Sequence, residues 1–219
     1  PDPDKILQWS LSQGLDGQNA TANFDLNINQ TIITSGLKVK CHFIVDPSYV
    51  IGLEVVNTVG ETNVRGNSTL MLESADIGSS AGMIRMDLME GTMLGSDIRV
   101  HSQVGSLELN WNNVDLEDGP HDISLSTVTG SVLMQVVQET GSKGVVNWTV
   151  LTNLGNVQTS FSTIAGISSN ITGEVGSGLL NSASVIGYSV NKTENRVEAT
   201  SLNYPSDHRF EVSLSVNIG

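Results

Sequence analysis

Five glycines, Gly60, Gly82, Gly105, Gly130 and Gly155, recur at spacings of 22, 23, 25 and 25 residues. A fixed period in this range points to a repeat architecture before any other fold is considered. Each glycine is preceded three positions earlier by a small polar residue: Asn57, Ser79, Ser102, Thr127 or Thr152. Seven and five positions upstream stand Leu53 and Val55, Ala75 and Ile77, Ile98 and Val100, Ile123 and Leu125, and Trp148 and Val150. Two positions downstream come Thr62, Ile84, Leu107, Val132 and Val157. A sixth copy around Gly176 is degenerate.

Small polar residues followed three positions later by glycine predict a type I turn at each anchor. The apolar positions lie at odd offsets before the glycine and at even offsets after it. In a straight strand they would face opposite sides, so a corner at the glycine is needed to bring both sets to one interior. A second turn signal falls 11 to 14 residues after four of the anchors, at Gly95, Gly119-Pro120, Gly144 and Gly166. Two short strands and two corners per period predict an all-β chain built as a β-solenoid-like stack, in which neighbouring coils bury one another's apolar faces. Hairpins at similar spacing in a two-sheet sandwich are the rival arrangement.

The predicted repeat domain covers residues 51–219, and residues 1–50 form a separate N-terminal segment. There Phe24, Leu26 and Ile28 alternate, and so do residues 37–45. The two runs predict a β-hairpin that caps one end of the stack. At the other end Phe210, Val212, Leu214, Val216 and Ile218 alternate to the last residue. Such a strand either pairs at an edge or continues in a longer chain, and an unpaired edge there would invite strand addition.

Composition narrows the function classes. The 219 residues carry a net charge of −13, with ten basic against twenty-three acidic side chains. That balance disfavours nucleic acid and anionic membrane surfaces as partners. No apolar run is long enough for a membrane-spanning helix, so no direct membrane insertion by this segment is expected. One cysteine, Cys41, excludes an internal disulfide and a thiolate metal cluster, and its place in an alternating run predicts a buried apolar role. The start, Pro1-Asp2-Pro3-Asp4, reads as a mature or trimmed chain.

Residues 122–132 (DISLSTVTGSV), 98–107 (IRVHSQVGSL) and 156–166 (NVQTSFSTIAG) resemble the toastrack family of adhesin-type domains of unknown function. The resemblance covers residues 50 to 219 and implies a stacked β architecture on a secreted or cell-surface protein. It brings no catalytic residues and no cofactor.

Six sequons, at Asn19, Asn29, Asn67, Asn147, Asn170 and Asn191, are candidate N-glycosylation sites. Residues 78–82 match the G-x-S-x-G nucleophile elbow, but that motif requires a helix after the serine, and a strand is expected after Ser80. His42, His101, His121 and His208 lack the spacing of a helix-borne zinc site and are expected at solvated or edge positions. Asp115, Glu117, Asp118 and Asp122, with His121, make the densest acidic loop and could offer oxygen ligands to calcium, but their spacing is not that of an EF-hand loop, and a solvated acidic corner around Gly119-Pro120 is the favoured reading. Asp97, Arg99 and His101 share one outward strand face and alone approach an acid–base set suited to a carbohydrate-active enzyme. The sequence therefore supports a noncatalytic extracellular protein, adhesin-like or an envelope structural element, with other surface proteins, glycans or copies of itself as partners. A filament or layer subunit joined by strand addition is the second reading, and the β-helix enzyme the third.

Overall fold

The structure is a computed structural model that describes residues 7–16, 19–28, 44, 49–66, 70–139, 144–164, 166–176 and 188–218. The chain divides into two compact units, Pro1–Ile44 and Val45–Gly219.

In the first unit β1 (Leu7–Asp16) and β2 (Asn19–Ile28) form an antiparallel hairpin that runs from Leu7↔Ile28 to Asp16↔Asn19. Phe24, Leu26 and Ile28 therefore pair with Leu11, Trp9 and Leu7. Leu7, Trp9 and Leu11 alternate as well, and the short connection between Asp16 and Asn19 closes the hairpin at little entropic cost. Apart from Ile44, residues 37–45 lie outside the described residues, and with them Cys41 and His42.

The second unit is built from strands, with no helix among the described residues. Its first part comprises β3 (Val50–Val59), β4 (Thr62–Gly66), β5 (Met71–Ala81), β6 (Ile84–Leu88), β7 (Met93–Leu94), β8 (Ile98–Val104), β9 (Leu107–Asn112), β10 (Asp115–Leu116), β11 (Pro120–Gln138) and β12 (Val145–Thr163). Then follow β13 (Ser168–Val175), β14 (Tyr188–Lys192), β15 (Arg196–Ser201) and β16 (Arg209–Ile218). From β3 to β12 every ladder is parallel, and the chain winds through about four turns of a β-solenoid. One face stacks β3, β5, β8 and the first halves of β11 and β12. A second stacks β4, β6, β9 and the second halves of β11 and β12. A third, narrow side is present beyond the two expected: Met71–Leu72 of β5, β7 and β10 pair in a short column. The extra corners use Gly91 at φ 85° and Asn113 at φ 50°.

Inside, like residues stack in columns. Ile77, Val100, Leu125 and Val150 form one on the first face, and Ile84, Leu107, Val132 and Val157 form one on the second. All but Val157 are buried, each contributing about 1.5–3 kcal/mol relative to exposure. Both sets of apolar positions thus face one interior, as the offsets require. That interior also holds large rings: Trp148 meets Trp111 edge-on at 5.1 Å and Phe210 at 6.0 Å.

The corner between the two faces is not a type I turn. It is made by one glycine held at φ between 128° and 149°, at Gly60, Gly82, Gly105, Gly130 and Gly155, while β11 and β12 run through it without leaving the ladder. This is glycine territory. A Cβ on Gly82, Gly105, Gly130 or Gly155 would also fall on the carbonyl oxygen of the glycine one rung earlier. At two of the corners the small polar residue three positions before has a matching task. Thr127 donates its hydroxyl to the Gly105 carbonyl at 3.3 Å, and Thr152 donates to that of Gly130 at 3.2 Å. A buried hydroxyl on one rung thereby satisfies the glycine carbonyl of the rung before.

The end of the unit departs from simple winding. Instead of continuing the coil, the chain leaves β12 for β13 one strand width too far out, and β16 later fills the gap. β16 lies parallel to β12, from Val145↔Arg209 to Leu154↔Ile218, and parallel to β13, from Ser168↔Arg209 to Val175↔Val216. The C-terminal alternation is therefore an interior strand with partners on both sides, not an open edge. β15 pairs antiparallel with β13, and β14 with β15.

Candidate functional site

Outward side chains form columns just as the inward ones do, because residues two apart on a strand share a face and parallel pairing brings equivalent positions into line. On the second face Arg65, Asp87 and Asn110 are in register. The Asp87 carboxylate accepts from Arg85 Nε at 3.0 Å and Asn110 Nδ2 at 2.6 Å, with Arg65 at 3.4 Å. The hydrogen bond from Arg85 to Asp87, followed by the charges of Asp87 and Glu108, raises the Arg85 pKa above its ordinary value. The cluster ties three rungs together through the Asp87 carboxylate.

On the first face Arg99 and His101 lie along β8, and Asp97 immediately precedes it. His101 and Arg99 turn to Asp76 on the neighbouring strand, at 3.6 and 3.9 Å. The imidazole lies over Gly78, where a Cβ would come within 2.6 Å of Nε2. Asp97 instead accepts from the Asp122 amide at 2.9 Å. The expected trio shares a face, but its carboxylate is committed to a corner.

Farther along this face, β12, β16 and β13 present a two-row array. Asn147, Glu211 and Asn170 are in register in one row, and Thr149, Ser213 and Thr172 in the next. Together they line a shallow depression of about 290 Å³. Glu211 accepts from Tyr204 Oη at 2.7 Å, Arg209 Nε at 3.0 Å and Asn170 Nδ2 at 3.3 Å. The Thr200 hydroxyl donates to Asn170 Oδ1 at 3.1 Å, and Asn147 donates to Asp122 at 2.8 Å. Donation to Glu211, and secondarily burial, raise the Tyr204 pKa above its ordinary value.

Of the sequons, Asn147 and Asn170 are brought into this one row, on either side of Glu211. Asn191 is exposed on β14, Asn19 opens β2, and Asn29 and Asn67 lie outside the described residues. Ser80 is exposed near the end of β5, and a strand follows it after the Gly82 corner. His121 is not a solvated residue: it is buried, with Nδ1 at 3.2 Å from the Ser96 carbonyl and Nε2 at 2.9 Å from that of Glu117. It ties the corner around Gly119 to the one below. His208 accepts from the Gly144 amide at 3.0 Å. Asp115, Glu117, Asp118 and Asp122 are exposed around that corner, and no group of three or more metal-ligating side chains occurs among the described residues.

Sequence reading missed Glu211, Arg209 and Tyr204, because β16 sits 64 positions from its partner residues in β12, outside the regular period. The signal was present in the alternation of Arg209, Glu211, Ser213 and Ser215 with apolar residues, which matches that of β12. Comparisons with protein-family models, with curated proteins and with solved structures find no match.

Proposed function

We propose that the chain is a noncatalytic extracellular protein of the cell surface, adhesin-like or a structural element of the envelope, and a member of the toastrack type that its repeat segments resemble. The observation that carries this reading is the polar strip over β12, β16 and β13. Its outward Asn, Thr and Ser side chains are aligned strand by strand above a core of Trp148, Phe210 and Val212. Such a face is held rigid by the ladder and is suited to display and contact. Its most central charge, Glu211, accepts hydrogen bonds from three neighbouring side chains. Labelling of intact cells of the native host with an antibody raised against residues 45–219 tests the reading. Labelling before permeabilisation is expected, and labelling that requires permeabilisation would overturn it.

A second reading, a subunit that assembles by strand addition, is favoured by β3. Among the described residues this strand is paired on one side only, with β5, and Val50, Val56 and Val59 are exposed on it. Assembly would then run through β3 rather than β16. Light scattering that stays monomeric from micromolar to millimolar protein would count against it.

A further inference from the structure

We propose that the strip over β12, β16 and β13 is a binding site for an uncharged linear glycan, laid along the stacking direction across the three strands. The inference rests on the surface-protein reading and names the ligand class of the same face.

The first argument is spacing. Adjacent strands lie about 4.8 Å apart and alternate residues of a strand about 6.6 Å apart. Asn147, Glu211 and Asn170, with Thr149, Ser213 and Thr172, therefore form a flat lattice of polar groups. Its repeat along the stack is close to the length of one pyranose residue in an extended polysaccharide. The depression that these six residues line holds about 290 Å³ and is shallow, so a ligand can lie across it without a terminus having to enter a deep pocket.

The second argument is the chemistry of the lattice. Thr149 and Ser213 are exposed, and their hydroxyls can both donate and accept, as can the amide of Asn147. Sugar hydroxyls need that mixture. A cation is poorly served, because Glu211 is paired with Arg209 and already accepts from Tyr204 and Asn170. An anion would meet Glu211 and the neighbouring Asp122, on a chain of net charge −13. An extended peptide adding as a strand requires an unpaired backbone edge, and β16 is paired on both sides.

The third argument is preorganisation. The Tyr204–Glu211–Asn170–Thr200 chain of hydrogen bonds fixes the middle of the lattice before any ligand arrives, which lowers the ordering cost of binding. With no deep pocket, affinity on the order of 0.1–1 mM is expected for a hexasaccharide. A covalent glycan on Asn147 or Asn170 would cover this lattice, so the site requires both to be unmodified, and intact mass reads that directly.

The test uses the full chain produced unglycosylated and labelled with 15N. It is titrated with cellohexaose, mannohexaose and N-acetylchitohexaose, and with hexagalacturonate as the charged comparison. Saturable shifts of β12, β16 and β13 amides with at least one neutral hexasaccharide are expected. The double variant Thr149→Val, Thr172→Val keeps the branched shape suited to strands and should weaken that binding about tenfold or more. Ser160→Val, outward on the other face, should leave it unchanged. No saturable shift with any neutral hexasaccharide, tighter binding of hexagalacturonate, or equal affinity for the Thr149/Thr172 double variant would each overturn the proposal. None of these results bears on where the protein resides, which cell labelling decides separately.

Discussion

Replacing Gly130 by alanine should injure the fold more than replacing Gly119, although the two share almost the same backbone conformation. Gly119 sits at φ 145° and Gly130 at φ 147°, so an alanine at either carries the conformational strain of that region, about 1–3 kcal/mol. Their surroundings differ. A Cβ on Gly119 meets nothing within 4 Å, whereas on Gly130 it falls on the Gly105 carbonyl oxygen, and that carbonyl also receives the Thr127 hydroxyl. Gly130→Ala must push two rungs apart or twist the corner, adding an overpacking cost of about 1–3 kcal/mol. Gly52→Ala is the baseline: its φ is ordinary and its nearest neighbour, Ser74 Oγ, lies 3.7 Å away. Guanidinium unfolding followed by tryptophan fluorescence reads the three variants, since Trp111 and Trp148 are buried on rungs adjoining these corners. The expected order of stability is Gly52→Ala, then Gly119→Ala, then Gly130→Ala, with a melting-temperature gap between the last two on the order of 5 °C. Equal midpoints for Gly119→Ala and Gly130→Ala would refute the claim that rung-to-rung contact, beyond dihedral preference, selects glycine at the anchors.

The buried hydroxyls should divide by partner. Thr152→Val removes a donor to the Gly130 carbonyl and should cost about 0.5–1.5 kcal/mol, whereas Ser79, whose buried hydroxyl has no partner, should tolerate alanine with no loss; thermal melts giving the reverse order would reject the capping role. In a Tyr49→Phe, Tyr188→Phe background, phenolate absorbance should show Tyr204 ionising at higher pH than in the same chain carrying Glu211→Gln, because donation to Glu211 favours the protonated phenol. The stabilisation from that bond is complete below the ordinary tyrosine value of about 10 and is lost as pH rises through the raised folded value. An unchanged titration in the Glu211→Gln chain would remove Tyr204 from the strip's network.

What the sequence made legible was what neighbouring rungs demand of each other. The glycine period, the flanking apolar offsets and the polar residue at minus three all reappear as columns, because stacking in register converts a chain period into a contact. The type I turn was misjudged for a related reason. A serine or threonine three positions before glycine suits a turn within one rung, and it equally suits a hydroxyl that reaches the rung before; Thr127 and Thr152 take the second course. Only the second explains why those residues are buried. The third side was hidden because β7 and β10 are two residues long, too short to show an alternation. His121 was read as solvated because its two carbonyl partners, on Ser96 and Glu117, become neighbours only after winding.

The insertion of β16 marks where local reading stops and the candidate site begins. A period carries information from one rung to the next, but β16 reaches its place between β12 and β13 some 45 residues after β12 ends, with β13, β14 and β15 in between. Its outward residues Arg209, Glu211 and Ser213 therefore arrive in the strip from outside the repeat. The last regular strand, β12, supplies one edge of that strip and β13 the other, and the inserted strand supplies its charged centre. If the face over Glu211 is where this chain meets a partner, specificity was added by breaking the winding, while rigidity came from keeping it. Transplanting β16 alone onto another coil would then carry little recognition, since Asn147 and Thr149 on one side and Asn170 and Thr172 on the other complete both rows.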